Sequence, residues 1–296
     1  MSGLNGIEIF LGYPCNQKCS FCFQKDLRYK ESKFLDYEKV ISIIDEGVLK
    51  GKNSIIFSGG ESTMDKNILN YISYCKNKGF KDIRIHTNGL LFSDNSKLLE
   101  YYNNGITGII ISIHGYGKIH DYLVGLDGAF NKLKLSFSNI SDLIKKDRSF
   151  VLDTNTVLTK YNYNSIHILF KFLSYFPITR SQIVQLYSLY LFSLDEKKGL
   201  YVSYDKFKPF ISKVIENNRN VTFENFPLCK VDNDFWDYII KRQKYDNDAY
   251  GNMGEGFEES DCTYLNSCEK CSFKSDCVGI PKDYLKVFDT EKFISY

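Results

Sequence analysis

Two groups of closely spaced cysteines are the residues of this sequence best suited to chemistry. The first group falls within eight residues and comprises Cys15, Cys19 and Cys22. The second lies near the end of the chain and comprises Cys262, Cys268, Cys271 and Cys277. Short loops between cysteines let several sulfur atoms converge, as an iron–sulfur cluster or a zinc site requires. Both groups are therefore candidate metal sites.

The first group offers three thiolates, with no histidine or carboxylate at ligand spacing. A closed structural zinc site needs four ligands, so a three-thiolate site leaves one metal position open for an exogenous ligand. An open position indicates chemistry and not scaffolding. Of the two remaining cysteines, Cys229 lies in the segment FPLCK, and Cys75 stands alone in a helical pattern. We expect Cys75 to be a small buried hydrophobe.

Composition excludes several classes of protein. The 296 residues carry 38 Lys+Arg against 36 Asp+Glu, a formal net charge of +2, which is too small to drive non-specific binding to nucleic acid. No apolar run is long enough to span a membrane, and the first residues have no secretory pattern. We expect a cytoplasmic protein without nucleic-acid or membrane partners. Nine cysteines in that reducing compartment are not a disulfide framework.

Strand-like and helix-like segments alternate through the first 195 residues. The pattern predicts helices at 36–50, 67–78, 96–104, 133–146 and 165–175, and strands at 7–12, 53–57, 82–86, 108–113, 150–158 and 182–189. Six alternating units predict an α/β fold, a partial (β/α)6 TIM-like barrel with a small cysteine-rich C-terminal domain. The first cysteine group and the segment SGGE both follow strands directly, at the edge where barrel active sites gather.

The pattern changes from about residue 196. One more helix is expected at 204–217, a strand at 221–223, an irregular stretch at 232–261 and a closing helix at 281–288. We therefore divide the chain into a barrel, residues 1–195, and a C-terminal domain, residues 196–296.

A set of short motifs at successive strand ends carries a family resemblance. The first cysteine group has the spacing CxxxCxxC with an aromatic residue, Phe21, before its third cysteine. The later strands run into Gly59-Gly60-Glu61, Thr87-Asn88-Gly89 and Ser112-Ile113-His114-Gly115. Together these segments resemble the radical S-adenosylmethionine (SAM) superfamily over residues 7–190, in the order and on the strands that this family shows.

The resemblance implies a cofactor and a mechanism. Cys15, Cys19 and Cys22 would hold three irons of a [4Fe–4S] cluster, and the amino and carboxylate groups of SAM would chelate the fourth. One electron, from an external donor such as flavodoxin or ferredoxin, would cleave SAM into methionine and a 5′-deoxyadenosyl radical. The radical would abstract a hydrogen atom from the substrate. The protein must position and shield that chemistry.

The resemblance also implies which residues contact SAM. Gly59 and Gly60 would let the backbone approach the methionine end closely, and Glu61 would be an acceptor near its ammonium group. Asn88 and His114 are further candidates, although a Gly-Gly turn or a satisfied interior polar side chain is the alternative for each such position. The expected cofactor-binding residues are Phe21, Gly59, Gly60, Glu61, Ser112 and Asn155.

The spacing Cys268-x2-Cys271-x5-Cys277 resembles the core of the C-terminal extensions called SPASM and twitch domains. The full SPASM pattern serves two auxiliary clusters, but Pro281 stands where a further cysteine would follow. We expect one auxiliary [4Fe–4S] cluster in a twitch-like domain, with ligands Cys229, Cys268, Cys271 and Cys277. Three alternatives stay open: Cys262 as the fourth ligand, three ligands with a place for substrate, or a structural zinc site.

Such extensions commonly accompany enzymes that modify ribosomally made peptides by crosslinking, epimerisation or oxidation. The predicted function is therefore hydrogen abstraction from a peptide. The alternative is a dehydrogenase or related radical enzyme acting on a small molecule, and a third hypothesis is an electron-transfer or metal-sensing protein. The first strand begins near Ile7, so we expect no leader-peptide-binding domain before it. No catalytic side chain is assigned, and Cys262 is a candidate hydrogen-atom donor if it is not a ligand.

Overall fold

Eight strands form one parallel sheet at the centre of the protein. The structure, a computed structural model, describes residues 5–25, 27–30, 33–186, 189–241, 248–251, 262–288 and 293. The strands are β1 (Gly6–Phe10), β2 (Ser54–Ser58), β3 (Asp82–Thr87), β4 (Gly108–Ser112), β5 (Val151–Leu158), β6 (Arg180–Gln185), β7 (Val221–Glu224) and β8 (Asp248–Gly251). Their order is β7-β6-β5-β4-β3-β2-β1-β8, and the sheet curls into a partial barrel. The predicted α/β fold is confirmed.

Helices connect the strands, as a parallel sheet requires. They are α1 (Leu27–Lys30), α2 (Tyr37–Leu49), α3 (Ile68–Asn77), α4 (Asn95–Asn104), α5 (Lys118–Val124), α6 (Ala129–Lys146), α7 (Ile166–Leu173), α8 (Leu194–Leu200), α9 (Tyr204–Phe207), α10 (Ile211–Asn217) and α11 (Lys282–Val287). Short 3₁₀ helices lie at Ser62–Met64, Leu90–Ser93, Lys208–Phe210, Leu228–Lys230, Asn233–Tyr238 and Asn266–Cys268. An antiparallel pair, β9 (Cys262–Thr263) and β10 (Ile280–Pro281), stands apart from the main sheet.

The two faces of the sheet differ in polarity because successive side chains of a strand point to opposite sides. The face under the helices is apolar and fully buried, with Ile9, Ile55, Phe57, Ile85, Ile109 and Leu152 in the common core. The concave face is mixed: the polar side chains of Glu8, Arg84, His86, Ser112 and Asn155 share it with Ile56, Ile110 and Val157. Its polar residues give the barrel a surface that can bind a polar ligand.

Three local expectations from the sequence were incomplete or wrong. The helix expected at 204–217 is broken into α9, a 3₁₀ turn and α10, because Pro209 has no N–H to donate and restricts the residue before it. The stretch 232–261, expected to be irregular, contains β8, which pairs with β1. Residues 242–247 and 252–261 of that stretch lie outside the described residues. The short α5 was not predicted.

Strands β7 and β8 come from the second half of the chain and join the same sheet as β1–β6. The division of the chain at residue 195 stays a prediction. Within the described residues, no helix combines the length and the apolar character needed to cross a membrane.

Candidate active site

The carboxyl edge of the sheet brings the sequence motifs together. The loop that carries Cys15, Cys19 and Cys22, residues 11–25, follows β1; we call it the cysteine loop. Gly59-Gly60-Glu61 follows β2, and Asn88 follows β3. Because all these strands are parallel, their following segments meet at one edge.

Backbone hydrogen bonds fasten the cysteine loop to the end of β2. The amide of Gly60 donates to the carbonyl of Gly12 at 2.7 Å, and the amide of Glu61 donates to the carbonyl of Pro14 at 2.8 Å. A Cβ at Gly60 would stand 2.6 Å from the carbonyl oxygen of Tyr13, closer than real Cβ contacts come. The close approach that these glycines permit is thus an approach to the cysteine loop. Their predicted contact with SAM stays a prediction.

Helix α5 holds the other side of the cysteine loop. The amides of Lys18 and Ser20 donate to the carbonyls of Val124 and Leu123, both at 2.9 Å. The Cys19 side chain packs against a small apolar cluster that includes Val124. The thiols therefore lie on a loop whose backbone is hydrogen-bonded to the end of β2 on one side and to α5 on the other.

Phe21 connects the cysteine loop to β4 through a pair of histidines. Its ring meets the ring of His114 edge to face at 4.6 Å. Nδ1 of His114 accepts from the amide of Val157 at 3.1 Å, and Nδ1 of His120 accepts from the amide of His114 at 3.1 Å. Burial lowers the pKa of His114 well below its usual range and that of His120 to about 4. Both rings are therefore neutral near pH 7 and accept as these bonds require.

Glu61 is a buried carboxylate that ties the ends of β2 and β3 together. Its Oε1 accepts from the Thr63 amide at 3.2 Å and from the hydroxyls of Thr63 and Thr87 at 2.6 Å each, and its Oε2 accepts from the Asn88 amide at 2.7 Å. The Asn88 side-chain amide then donates to Asn16 in the cysteine loop at 2.7 Å. Protein donors thus surround Glu61, and its predicted contact with the SAM ammonium stays a prediction.

A polar row crosses the concave face below this edge. Nε2 of His86 lies 3.0 Å from Oγ of Ser112, and Ser112 is paired in register with Asn155 on β5. Oδ1 of Asn155 is buried and has no hydrogen-bond partner among the described residues. Buried polar atoms are normally satisfied, so this acceptor on the concave face fits a hydrogen bond from a ligand. This row fits the predicted SAM contacts of Ser112 and Asn155.

His86 was not among the predicted site residues, although it precedes the TNG segment directly. Burial lowers its pKa, and the carboxylates of Glu8 and Glu61 act in the opposite direction. The ring therefore joins the row mainly as a neutral hydrogen-bonding group.

Charged side chains form ion pairs at the opposite, amino end of the concave face. Arg84 contacts Asp82 at 2.7 Å and Asp153 at 2.8 Å, and Arg180 lies 3.5 Å from Asp153. Burial raises the pKa of Asp153, while the guanidinium groups of Arg180 and Arg84 lower it. These ion pairs lie on the amino-end side of the polar row of His86, Ser112 and Asn155.

Cys229 and three cysteines of the second group line one cavity. Its walls include Cys229, Cys268, Cys271 and Cys277, together with Phe273. Cys262 is not among the residues that line it, because Cys262 lies in β9, paired opposite Pro281 of β10. The structure thus brings together the four thiols that were preferred as auxiliary ligands.

Cys277 is the most constrained thiol of this cavity. Burial raises its pKa most, and the neighbouring Cys268 and Cys271 raise it further. The amide of Gly279 donates to its Sγ at 3.4 Å and lowers the pKa, as does a hydrogen bond from Leu228. Amide donors of this kind stabilise a thiolate.

Within the described part of the chain, no three or more His, Cys, Asp and Glu side chains are close enough together to hold a single metal ion. The same holds for Cys15, Cys19 and Cys22 of the cysteine loop.

The fold and the three-thiolate loop define an open-barrel α/β protein with its site at the carboxyl edge. A family model described as the radical SAM superfamily matches residues 9–173, more than half of the chain. The protein belongs to the radical SAM superfamily, whose members are enzymes that use a [4Fe–4S] cluster and SAM.

Curated relatives are similar over only part of their length. An Fe-coproporphyrin III synthase of Methanosarcina barkeri is 25% identical over 223 residues, 74% of this chain and 53% of the relative. A probable GTP 3',8-cyclase of Sulfurisphaera tokodaii is 28% identical over 171 residues, 57% of this chain and 52% of the relative. The chain thus spans about half the length of these relatives.

Solved structures share the fold. Streptococcus suis SuiB bound to its precursor peptide SuiA superposes with a TM-score of 0.56 at 19% identity, over 75% of this chain and 49% of SuiB. The structure of anSMEcpe with bound AdoMet and a Cp18Cys peptide gives 0.59 at 15% identity, over 98% and 92% of the two chains.

Replacing Glu61 by Gln should destabilise the fold. An amide in place of the carboxylate replaces one acceptor oxygen by an NH2 donor that faces protein donors, which costs about 2 kcal/mol of unfolding free energy. Urea denaturation of the metal-free protein measures this. Glu100→Gln is the control, because the Glu100 side chain is 41% exposed and pairs with Lys97 at 2.8 Å, a contact worth under about 1 kcal/mol. Equal losses in the two variants would contradict the bridging role of Glu61.

Replacing Gly60 by Ala should displace the cysteine loop. The added methyl group meets the carbonyls of Tyr13 and Pro14, which are backbone and cannot rotate away. After anaerobic reconstitution we expect the iron content to fall by about four atoms per chain, the content of one cluster. Gly199→Ala is the control, since its Cβ would meet nothing within 4 Å. Full iron content in Gly60→Ala would show that the loop tolerates the methyl group.

Proposed function

We propose that this radical SAM enzyme abstracts a hydrogen atom from a peptide substrate and carries one auxiliary [4Fe–4S] cluster in a twitch-like C-terminal domain. The observation that carries the proposal is the cavity shared by Cys229, Cys268, Cys271 and Cys277. Four thiols from two separate segments line it, outside the barrel motifs. A bound auxiliary cluster would favour net oxidation, because it can accept an electron from a substrate radical.

At the first site, Cys15, Cys19 and Cys22 would hold the cluster that binds SAM. When bound, that cluster and SAM supply a 5′-deoxyadenosyl radical. The protein itself would bind SAM. Ser112 and Asn155 present hydrogen-bonding groups on the concave face, and the buried Oδ1 of Asn155 can accept a hydrogen bond. Phe21 and His114 fix the end of the cysteine loop. The ion pair of Arg84 and Asp153 would shield the reacting groups on the amino-end side of the concave face.

At the second site, Trp236 fixes the position of Cys229. Its Nε1 donates to the carbonyls of Leu228 and Val231 at 3.0 and 3.1 Å, on either side of Cys229. Its ring packs edge to face on Phe273 at 4.7 Å, between Cys271 and Cys277. This contact joins the two segments that supply the thiols, and it favours Cys229 over Cys262 as the fourth ligand.

A peptide substrate is supported by the fold likeness to SuiB and anSMEcpe, whose structures hold peptides, and by the likeness to anSMEcpe along nearly the whole chain. The names of the curated relatives support the alternative, a small-molecule substrate. The proposal also includes an external one-electron donor of the flavodoxin or ferredoxin class, and a reducing cytoplasm in which the thiols stay available as ligands. The domain boundary near residue 195 belongs to the proposal as well.

Iron counting can test which cysteines hold each of the two clusters. We expect about eight iron atoms per chain after anaerobic reconstitution, two clusters, and 5′-deoxyadenosine from SAM after reduction with dithionite. Replacing Cys15, Cys19 and Cys22 by Ala should abolish the deoxyadenosine and leave about four iron atoms. Cys229→Ala should lower the iron content by up to the same amount, because it removes one of four ligands.

Cys262→Ala is the matched control, since Cys262 is a partly exposed cysteine of the same region outside the cavity lining. It should keep the full iron content. Iron lost from Cys262→Ala and kept in Cys229→Ala would reverse the choice of fourth ligand. About four iron atoms with one zinc in the wild type would exclude the auxiliary cluster. Incubating candidate precursor peptides with the reconstituted enzyme and measuring their masses tests the substrate class.

A further inference from the structure

Two exposed tyrosines form a patch on the rim of the barrel. Tyr122 on α5 is 62% exposed and Tyr161, after β5, is 42% exposed. Their rings pack together with centroids 5.1 Å apart. Lys118 lies four residues before Tyr122 on the same face of α5, and Lys160 precedes Tyr161; both lysines are exposed. We call Lys118, Tyr122, Lys160 and Tyr161 the rim patch.

The rim patch lies directly outside the cysteine loop. The two residues that follow Tyr122 on α5, Leu123 and Val124, accept the backbone hydrogen bonds from Ser20 and Lys18. Val124 also belongs to the apolar cluster against which Cys19 packs. A molecule seated on Tyr122 is therefore separated from the thiol ligands by one turn of helix and one loop.

The charge of this surface favours an anionic partner. Residues 16–20, 116–128 and 159–163 hold three exposed lysines, Lys18, Lys118 and Lys160, and one exposed acid, Asp127. The other acid, Asp121, is engaged internally, because its carboxylate accepts from the amides of Gly128 and Phe130 at 2.8 and 2.7 Å. Aromatic side chains are enriched at protein interfaces, and a surface of one charge sign attracts a partner of the opposite sign.

We propose that the rim patch is the docking surface of the external electron donor, a small acidic redox protein. The inference rests on the proposed function, in which the cysteine loop holds the cluster that binds SAM. One electron passes per event: the donor is oxidised by one electron, and the cluster is reduced by one. The electron can cross the loop from outside, whereas a substrate must reach the concave face where Ser112 and Asn155 lie.

The test compares two reductants on the full reconstituted chain. The variant is Lys118→Glu with Tyr122→Ala, and the assay is deoxyadenosine formation from SAM with a reduced bacterial flavodoxin, its NADPH-dependent reductase and NADPH, or with dithionite. The flavodoxin concentration for half-maximal rate should rise about tenfold, because a central aromatic residue and a steering charge are lost. The dithionite-supported rate should not change. Added salt should weaken the flavodoxin reaction of the wild type and leave the dithionite reaction unaffected.

Lys171→Glu with Tyr175→Ala is the matched control. It has the same residue types at the same spacing, and Tyr175 is 75% exposed. Tyr175 follows α7, which leads from β5 back to the start of β6, so it lies at the amino edge, away from the cysteine loop. This variant should behave as wild type with both reductants.

Three outcomes would overturn the proposal. An unchanged flavodoxin dependence in the rim variant, or an equal change in the Lys171/Tyr175 control, would show that the donor docks elsewhere. An equal loss with dithionite would assign the patch to SAM or substrate binding. Absence of deoxyadenosine from the wild type with dithionite would instead refute the proposed function on which the docking rests.

Discussion

The buried carboxylate of Glu61 is the interaction on which the rest of the site depends. It has no charged partner among its hydrogen-bond donors, which are two threonine hydroxyls and two backbone amides. A charge in that position is stable only while every donor stays in place. It therefore fixes the ends of β2 and β3 relative to each other. The cysteine loop is bonded to both of these ends, through the Gly60 and Glu61 amides and through Asn88, so its position follows from Glu61.

Much of this arrangement could be predicted because parallel strands place consecutive motifs at one edge. The positions of Cys15, Cys19, Cys22 and Glu61 follow from strand alternation alone. The role of Gly59 and Gly60 could not be predicted in the same way. A Gly-Gly pair shows only that something approaches the backbone, and the structure identifies the approaching group as the carbonyls of the cysteine loop. That contact joins segments nearly fifty residues apart, beyond the reach of local patterns.

The missed elements were short. Helix α5 has seven residues between Gly117 and Gly125, too few for a clear helical period, yet it holds one side of the cysteine loop. Strand β8, with the sequence DAYG, lacks the apolar run of a buried parallel strand. The choice between Cys229 and Cys262 also lay outside sequence spacing, since both precede the last three cysteines. In the structure Cys229 lines the cavity, whereas Cys262 lies in the β9–β10 pair, outside the cavity lining.

The side chains of the concave face bear on where a ligand can enter the barrel. Its amino end carries the ion pairs of Arg84, Asp153 and Arg180, and the polar row of His86, Ser112 and Asn155 lies nearer the carboxyl edge. The cysteine loop stands at that same edge and has α5 on its outer side. Under the proposed function, the substrate would come to this loop from the concave face, and the electron would come from the surface of α5. A bulky donor protein could then bind while the mouth of the barrel holds a substrate, since neither would occupy the other's path.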